Sequence, residues 1–246
     1  MHALNAGKAG DVWAALATSL PTPKAVLMVT AHWETNLPML SGNAKPSMIY
    51  DFGGFPDALS KIVYRAPGSP EVAAQALALL KQAGFTAGID GCRGMDHGTW
   101  VPLLKMYPDA DVPIVQLSVQ PAMNPRHHLE VGRALAPMAR DGVLIVGSGH
   151  LTHNLRDWMA GRGQQSKLPY AVKFQEWVHE HLDTHDIDAL TRYREVAPDA
   201  VRAHPTEEHF LPLFVALGAA GENANVERVF DGFEGNALAM DAYRFG

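Results

Sequence analysis

The chain is poor in what staples secreted domains, what spans membranes and what grips nucleic acid. Cys92 is the only cysteine in 246 residues, which excludes an intramolecular disulfide and fits a reducing compartment. No activating partner is evident beside it, so its expected role is that of a small core or surface residue. No apolar run approaches the ~20 residues needed to cross a bilayer. The longest, at 210–221, is broken by Pro212. The first residues, MHALNAGKAGDVW, lack a basic segment followed by an apolar one and do not read as a signal peptide. Cytoplasmic residence without membrane contact is therefore the expectation. The net charge is −6 and the pI near 6.0. No stretch gathers Lys or Arg into a basic stripe, which argues against nucleic acid as a partner. Internal repeats, low-complexity tracts and interdomain linkers are also missing, so residues 1–246 are read as one domain large enough to bury a substantial core.

What is present is a set of buried-strand signals that end in histidine. Residues 24–33, KAVLMVTAHW, form a nearly unbroken apolar and β-branched run closing at His32, as expected of a strand covered on both faces. A second run, GVLIVGSG at 142–149, leads into HLTHNL with His150 and His153, and VPIVQLSV at 112–119 reads as a third. Further short or helical signals lie at 38–41, at 11–20, at 70–83 with Pro70 in the first turn, and at 125–140 with Pro125 opening the helix. Ligands collect outside the carboxyl ends of strands in open α/β sheets, so His32 and His153 are expected to face one crevice. His209 follows PTEE and precedes FLPLFVAL; Thr206 is expected to cap a helix whose acidic first turn delivers His209 to the same place. Each of these histidines taken singly is more often a hydrogen-bonded structural residue.

Other features carry weaker signals. Phe52 and Phe55 in the glycine-rich turn YDFGGFP either wall an aromatic pocket or serve the turn. His127 and His128 are adjacent and cannot share a helix face, which predicts solvent exposure. His181 and His185 lie four apart in a further histidine group with His179, a spacing open to chelation but more often a solvated face. The loop GRGQQSK at 161–167 reads as a surface connection or a lid. Alternation over 228–245 predicts a final antiparallel hairpin turning near Gly235 and Asn236. The fold class is then α/β: a single three-layer domain with a central mixed, mostly parallel sheet flanked by helices, mixed because of that hairpin.

AHW at 31–33, YDFGGFP at 50–56, DHGTW at 96–100, GSGHLTHNLR at 147–156 and PTEEHFLPLFVALGAAG at 205–221, in this order, resemble the LigB-type (class III) extradiol ring-cleaving dioxygenases, and within them the DOPA 4,5-dioxygenase branch. The resemblance implies that His32 and His209 are metal ligands, that His153 is the acid/base residue, and that His97 touches substrate; His150 borders the pocket as a weaker substrate contact. It implies one divalent metal ion, Fe(II) for activity, with Zn(II) able to occupy the same nitrogen ligands, and as partners a small aromatic diol and O2. Family proteins carry a further ligand histidine on an HGxPM-type segment, and Met1 aligns with that segment's methionine. The sequence is therefore expected to begin short of one ligand and to hold metal more weakly; His2 is a poor substitute. A homodimer is the default assembly. The alternatives are a zinc-dependent hydrolase on the same histidines, a serine hydrolase at Ser148, whose glycines stand at the wrong spacing for a nucleophile elbow, and a catalytically degenerate binding protein.

Overall fold

In the computed structural model, residues 3–53, 57–164 and 166–246 are described. His2 and Phe55 fall outside them. Helix α1 (Gly7–Ser19) leads into β1 (Ala25–Glu34) and β2 (Met39–Ser41), followed by a 3-10 turn (Asp57–Lys61), α2 (Pro70–Gln82), β3 (Gly88–Asp90), α3 (His97–Met106), β4 (Ile114–Val119), α4 (Pro125–Arg140) and β5 (Val143–Ser148). Beyond them come α5 (Leu155–Ala160), α6 (Pro169–Asp183), short helices α7 (Ile187–Thr191), α8 (Tyr193–Val196) and α9 (Ala200–Ala203), then α10 (Leu211–Ala220) and strands β6 (Val226–Phe230), β7 (Phe233–Glu234), β8 (Leu238–Ala239) and β9 (Ala242–Phe245).

The central sheet has five strands in the order β3-β2-β4-β1-β5. β1 runs parallel to both β4 and β5, while β2 is antiparallel to β4. The sheet is thus mixed, as expected, but for another reason: the C-terminal hairpin stands apart, β6 pairing with β9 and β7 with β8 in separate two-stranded ribbons. It does turn at Gly235, whose φ of +63° only glycine adopts readily. Strand alternation divides the core between the two faces of the sheet. Leu27 and Val29 point to one face, under α2, α4 and α10 with Leu80, Leu135 and Leu211. Val26 and Met28 point to the other, against Trp100 and Leu103 of α3. A further core of Phe174, Tyr193, Phe210 and Phe214 joins α6 and the short helices to α10.

Helix starts follow local chemistry. Ser69 and Asn124 accept hydrogen bonds from Val72 N and His127 N, and proline occupies the first turn of both α2 and α4. The expected cap at Thr206 is not formed: its hydroxyl donates to Glu208 Oε1. Residues 207–210 make a turn in which Phe210 N and Leu211 N donate to the Glu207 carbonyl, and the helix begins only at Leu211. His209 sits in that turn. The expected exposure of His127 and His128 also fails: His127 is half-buried beside Phe85 and Gln120, and His128 is buried, with Gln120 N donating to its Nε2 and its Nδ1 3.1 Å from the Asn124 carbonyl. His181 and His185 do not converge, each bonding a different backbone carbonyl. Among the described residues no helix is long and apolar enough to cross a membrane.

Candidate metal centre

The site is assembled at the carboxyl ends of β1 and β5. The ladder between β1 and β4 runs regularly from Val26 to Val29 and then slips, with Glu34 opposite Val119. This irregularity, common beside functional sites, carries His32. Its backbone N–H donates to Thr30 Oγ1 at 3.2 Å, and Thr30 in turn donates to Asp96 Oδ1 at 2.8 Å. Asp96 is fully buried, caps α3 through Thr99 N, and pairs with Arg93, whose guanidinium also reaches the His32 carbonyl. One carboxylate therefore fixes the backbone at His32 and the start of α3, where His97 is the first residue. Gly98 has no room for a side chain: a Cβ there would lie 2.7 Å from Thr30 Oγ1 and 2.8 Å from His32 Cδ2.

Residues 47–52 are clamped to this helix start by Met95 N to the Ser47 carbonyl and Ile49 N to the Met95 carbonyl. The clamp brings Asp51 against His97, with its Oδ1 accepting from His97 N at 2.9 Å and lying 2.8 Å from His97 Nδ1, while Oδ2 lies 3.7 Å from His32 Nδ1. Burial pushes the Asp51 carboxyl up, but the hydrogen bonds and charge of His97, with a smaller contribution from His32, outweigh it and hold the group below the ordinary aspartate value.

The second wall is the GSGHLTHNL segment. His150 N donates to the His209 carbonyl and His153 N to the Ala203 carbonyl. A Cβ on Gly149 would run into that His209 carbonyl, so glycine is required for the turn before α10 to close on β5. Behind it, the buried His204 lies with Nε2 2.8 Å from the Leu151 carbonyl, and Thr152 bridges to Ala237 and Ala239 of the C-terminal ribbon.

These walls bring His32, His97, His150, His153 and His209 into one cavity of about 930 Å³. Ring centroids of His32 and His209 are 5.0 Å apart, those of His153 and His209 stack at 3.4 Å, and His97 lies 3.9 Å from His32. Phe52 stands edge-on to His97 at 5.5 Å and forms part of the apolar lining. The cavity continues along the outer edge of β5 to Trp13 and Leu16 of α1. Burial, with His97 beside it, lowers the His32 pKa; burial takes His209 well below the ordinary histidine value and His153 to about 3. For His153 the main cause is burial, with the neighbouring imidazoles adding to it. Neutral imidazoles offer lone pairs, and one donor atom from each of His150, His153 and His209, and likewise from His32, Asp51 and His97, falls within 4.8 Å of the others. Such a donor set fits a divalent cation. Ser148 is engaged elsewhere: its hydroxyl donates to the Gly98 carbonyl at 2.6 Å.

Sequence reasoning missed Asp51 and Asp96 as parts of the site, although both lie inside quoted motifs. The signals available were a carboxylate at the start of a glycine-rich turn and another directly before a histidine at a helix start.

A mixed-sheet α/β domain whose strand-end crevice gathers imidazoles and a carboxylate has the donor groups that could hold a metal ion. The family model described as the catalytic LigB subunit of aromatic ring-opening dioxygenase matches residues 11–245. A 4,5-DOPA dioxygenase extradiol of Beta vulgaris is 42% identical over 91% of this chain and 83% of its own length, and one of Escherichia coli (strain K12) is 37% identical over 95% and 86%. The crystal structure of an uncharacterized protein from Escherichia coli K12 superposes with a TM-score of 0.83 at 34% identity, covering 96% of this chain and 92% of that one. The chain belongs to the LigB family, in its DOPA-dioxygenase-like branch, and is an oxidoreductase of the extradiol dioxygenase class.

Proposed function

We propose that the protein opens the ring of a catechol-type, DOPA-like aromatic with O2 at a single non-haem metal ion, Fe(II) for turnover, with Zn(II) able to occupy the same ligands without activity. The observation that carries this reading is the placement of His32 and His209 at 5.0 Å with His153 stacked on His209, all in one cavity walled by Phe52. His32 and His209 would hold the ion, which when bound supplies open positions for the diol and O2 and the redox change that zinc lacks.

The remaining steps fall to this chain's own side chains. His153, neutral at pH 7 because burial holds its pKa near 3, accepts the proton of a catechol hydroxyl. The negative charge left on the diol offsets the cost of the buried imidazolium so formed, and the same proton is later returned to the opened product. His97, held by Asp51 through its backbone N–H and with its Nδ1 2.8 Å from the same carboxylate, presents its other ring edge to the substrate, and Phe52 packs against the aromatic ring. His150 borders the diol from the opposite wall. The test is to load the protein anaerobically with Fe(II), add DOPA or catechol, admit oxygen and follow the yellow semialdehyde. Oxygen uptake with formation of that chromophore is the expected result; its absence in an iron-loaded, folded protein sinks the reading.

A further inference from the structure

His204 is the buried imidazole that the ring-opening reading leaves unused. It is fully enclosed, with its ring stacked on Phe210 at 4.9 Å and edge-on to Phe174 at 5.6 Å. Such an apolar box would hold a leucine or phenylalanine at less desolvation cost than a polar ring. What the imidazole adds is one bond. Its Nε2 lies 2.8 Å from the Leu151 carbonyl, and because a carbonyl only accepts, Nε2 carries the proton. Burial keeps the ring neutral, with a pKa of about 3, so this N–H persists at any working pH.

The bond falls where two segments of the site are laced together. Residues 150–154 carry His150 and His153, and residues 202–209 carry His209. His150 N donates to the His209 carbonyl at 2.9 Å and His153 N to the Ala203 carbonyl at 2.8 Å. Asn154 Nδ2 donates to the Arg202 carbonyl at 2.8 Å, beyond His153, while the same side chain caps α5. The His204 bond instead grips the turn between its two histidines, at Leu151. The spacing of the two segments sets how the His153 ring lies in the crevice, where it stacks on His209 at 3.4 Å and 19°.

We propose that His204 is a positioning residue for the ring-opening reaction: through the Leu151 carbonyl its Nε2–H fixes the turn that carries His153, and so holds that imidazole in register with His209 for proton transfer. The proposal rests on the acid/base role given to His153 above. His204 itself does not line the cavity and acts only through the turn.

Two substitutions in the full chain separate the bond from the bulk. His204→Phe fills the aromatic box without a donor, and His204→Gln returns an N–H that can reach the Leu151 carbonyl. Urea unfolding checks that each folds, and His204→Leu replaces His204→Phe if the larger ring does not fit. In the metal-free protein with isotope-labelled histidine rings, the His153 NMR resonance, identified by its loss in His153→Gln, is expected to move in the Phe variant and to return toward the parent's position in the Gln variant. This arm needs no turnover, so a parent without ring-opening activity sinks the proposed function and leaves the His204 result to be read by itself. In the iron-loaded protein, kcat should fall in the Phe variant by up to about 10²-fold, the scale for a ~1 Å misplacement, at unchanged KM and iron content, and His204→Gln should restore it. A His153 resonance unmoved in the folded donor-less variant, an equal displacement in the Gln variant, or a rise in KM at unchanged kcat overturns the assignment.

Discussion

Asp96 accepts a 2.8 Å hydrogen bond from the hydroxyl of Thr30, and through it the bulged end of β1 is tied to the first turn of α3. The carboxylate is fully buried yet satisfied, by Thr30, by Thr99 N and Oγ1, and by Arg93. Removing it in Asp96→Ala leaves the half-buried Arg93 cation and the first amides of α3 without their partner. The expected loss is about 3–5 kcal/mol, the scale for breaking a buried ion pair. Asp96→Asn keeps the cap and should lose less. Urea unfolding measures both, and equal stability of Asp96→Ala and the parent would refute the network.

His153→Ala separates the proton-transfer role from the ligand role. If His32 and His209 hold the iron, the variant keeps one metal per chain by elemental analysis, while turnover falls by roughly 10²–10⁴-fold, the usual contribution of a general acid/base. Loss of iron in step with activity would instead make His153 a ligand of the iron.

Gly149→Ala tests the closure of the second wall. A methyl group at this position meets the His209 carbonyl, and the turn before α10 must move. Overpacking of this kind costs about 1–3 kcal/mol, and the displaced His209 should bind metal more weakly. A variant with unchanged melting temperature and metal affinity would mean the turn gives way freely.

Much of this architecture could be read from the chain because its physics is local. β1, β4 and β5 are continuous apolar runs, and α2 and α4 announce themselves by a capping residue followed by proline. The start of α10 was not legible: its sequence is apolar all round, a pattern that marks a buried helix but carries no phase, and the turn at 207–210 is set by backbone bonds to the Glu207 carbonyl. β3 is only three residues long and needs β2 beside it. His128 was misplaced because helical periodicity speaks to faces, whereas its burial is decided by bonds to Asn124 and Gln120 outside the helix. At the site, strand-end position favoured His32 and His153 on physical grounds, but their roles came from the resemblance. The pairing of Asp51 with His97, residues 46 apart, depends on a clamp between segments that no local pattern encodes.

Asp51→Asn probes that pairing. The asparagine can still accept from His97 N, so α3 should start as before, but the negative charge 2.8 Å from His97 Nδ1 is gone. His97 then loses its fixed orientation toward substrate. The expected signature is a rise in KM for the catechol with a smaller change in kcat, the pattern of lost binding interaction, and a melting temperature near that of the parent. A kcat that collapses at unchanged KM would place Asp51 in the chemical step instead.

Acid should unfold this protein through its structural histidines. Burial holds His128 at about 4 and His204 at about 3, both below the ~6.5 of an imidazole in the unfolded chain. Between those values the unfolded state binds protons that the folded state refuses, so stability is full above pH ~6.5 and falls as the pH drops, by up to about 1.4 kcal/mol per pH unit for each group. The cause is geometric as well as dielectric: His128 Nε2 accepts from Gln120 N and has no room for a second proton, and His204 Nδ1 is buried with no acceptor among the described residues. Urea midpoints at pH 7.5 and pH 5.0 should therefore differ, the lower pH being less stable, and His128→Gln should flatten the slope by about one proton's worth. Identical pH slopes for parent and variant would show that His128 is protonated alike in both states, against the bond it makes to Gln120.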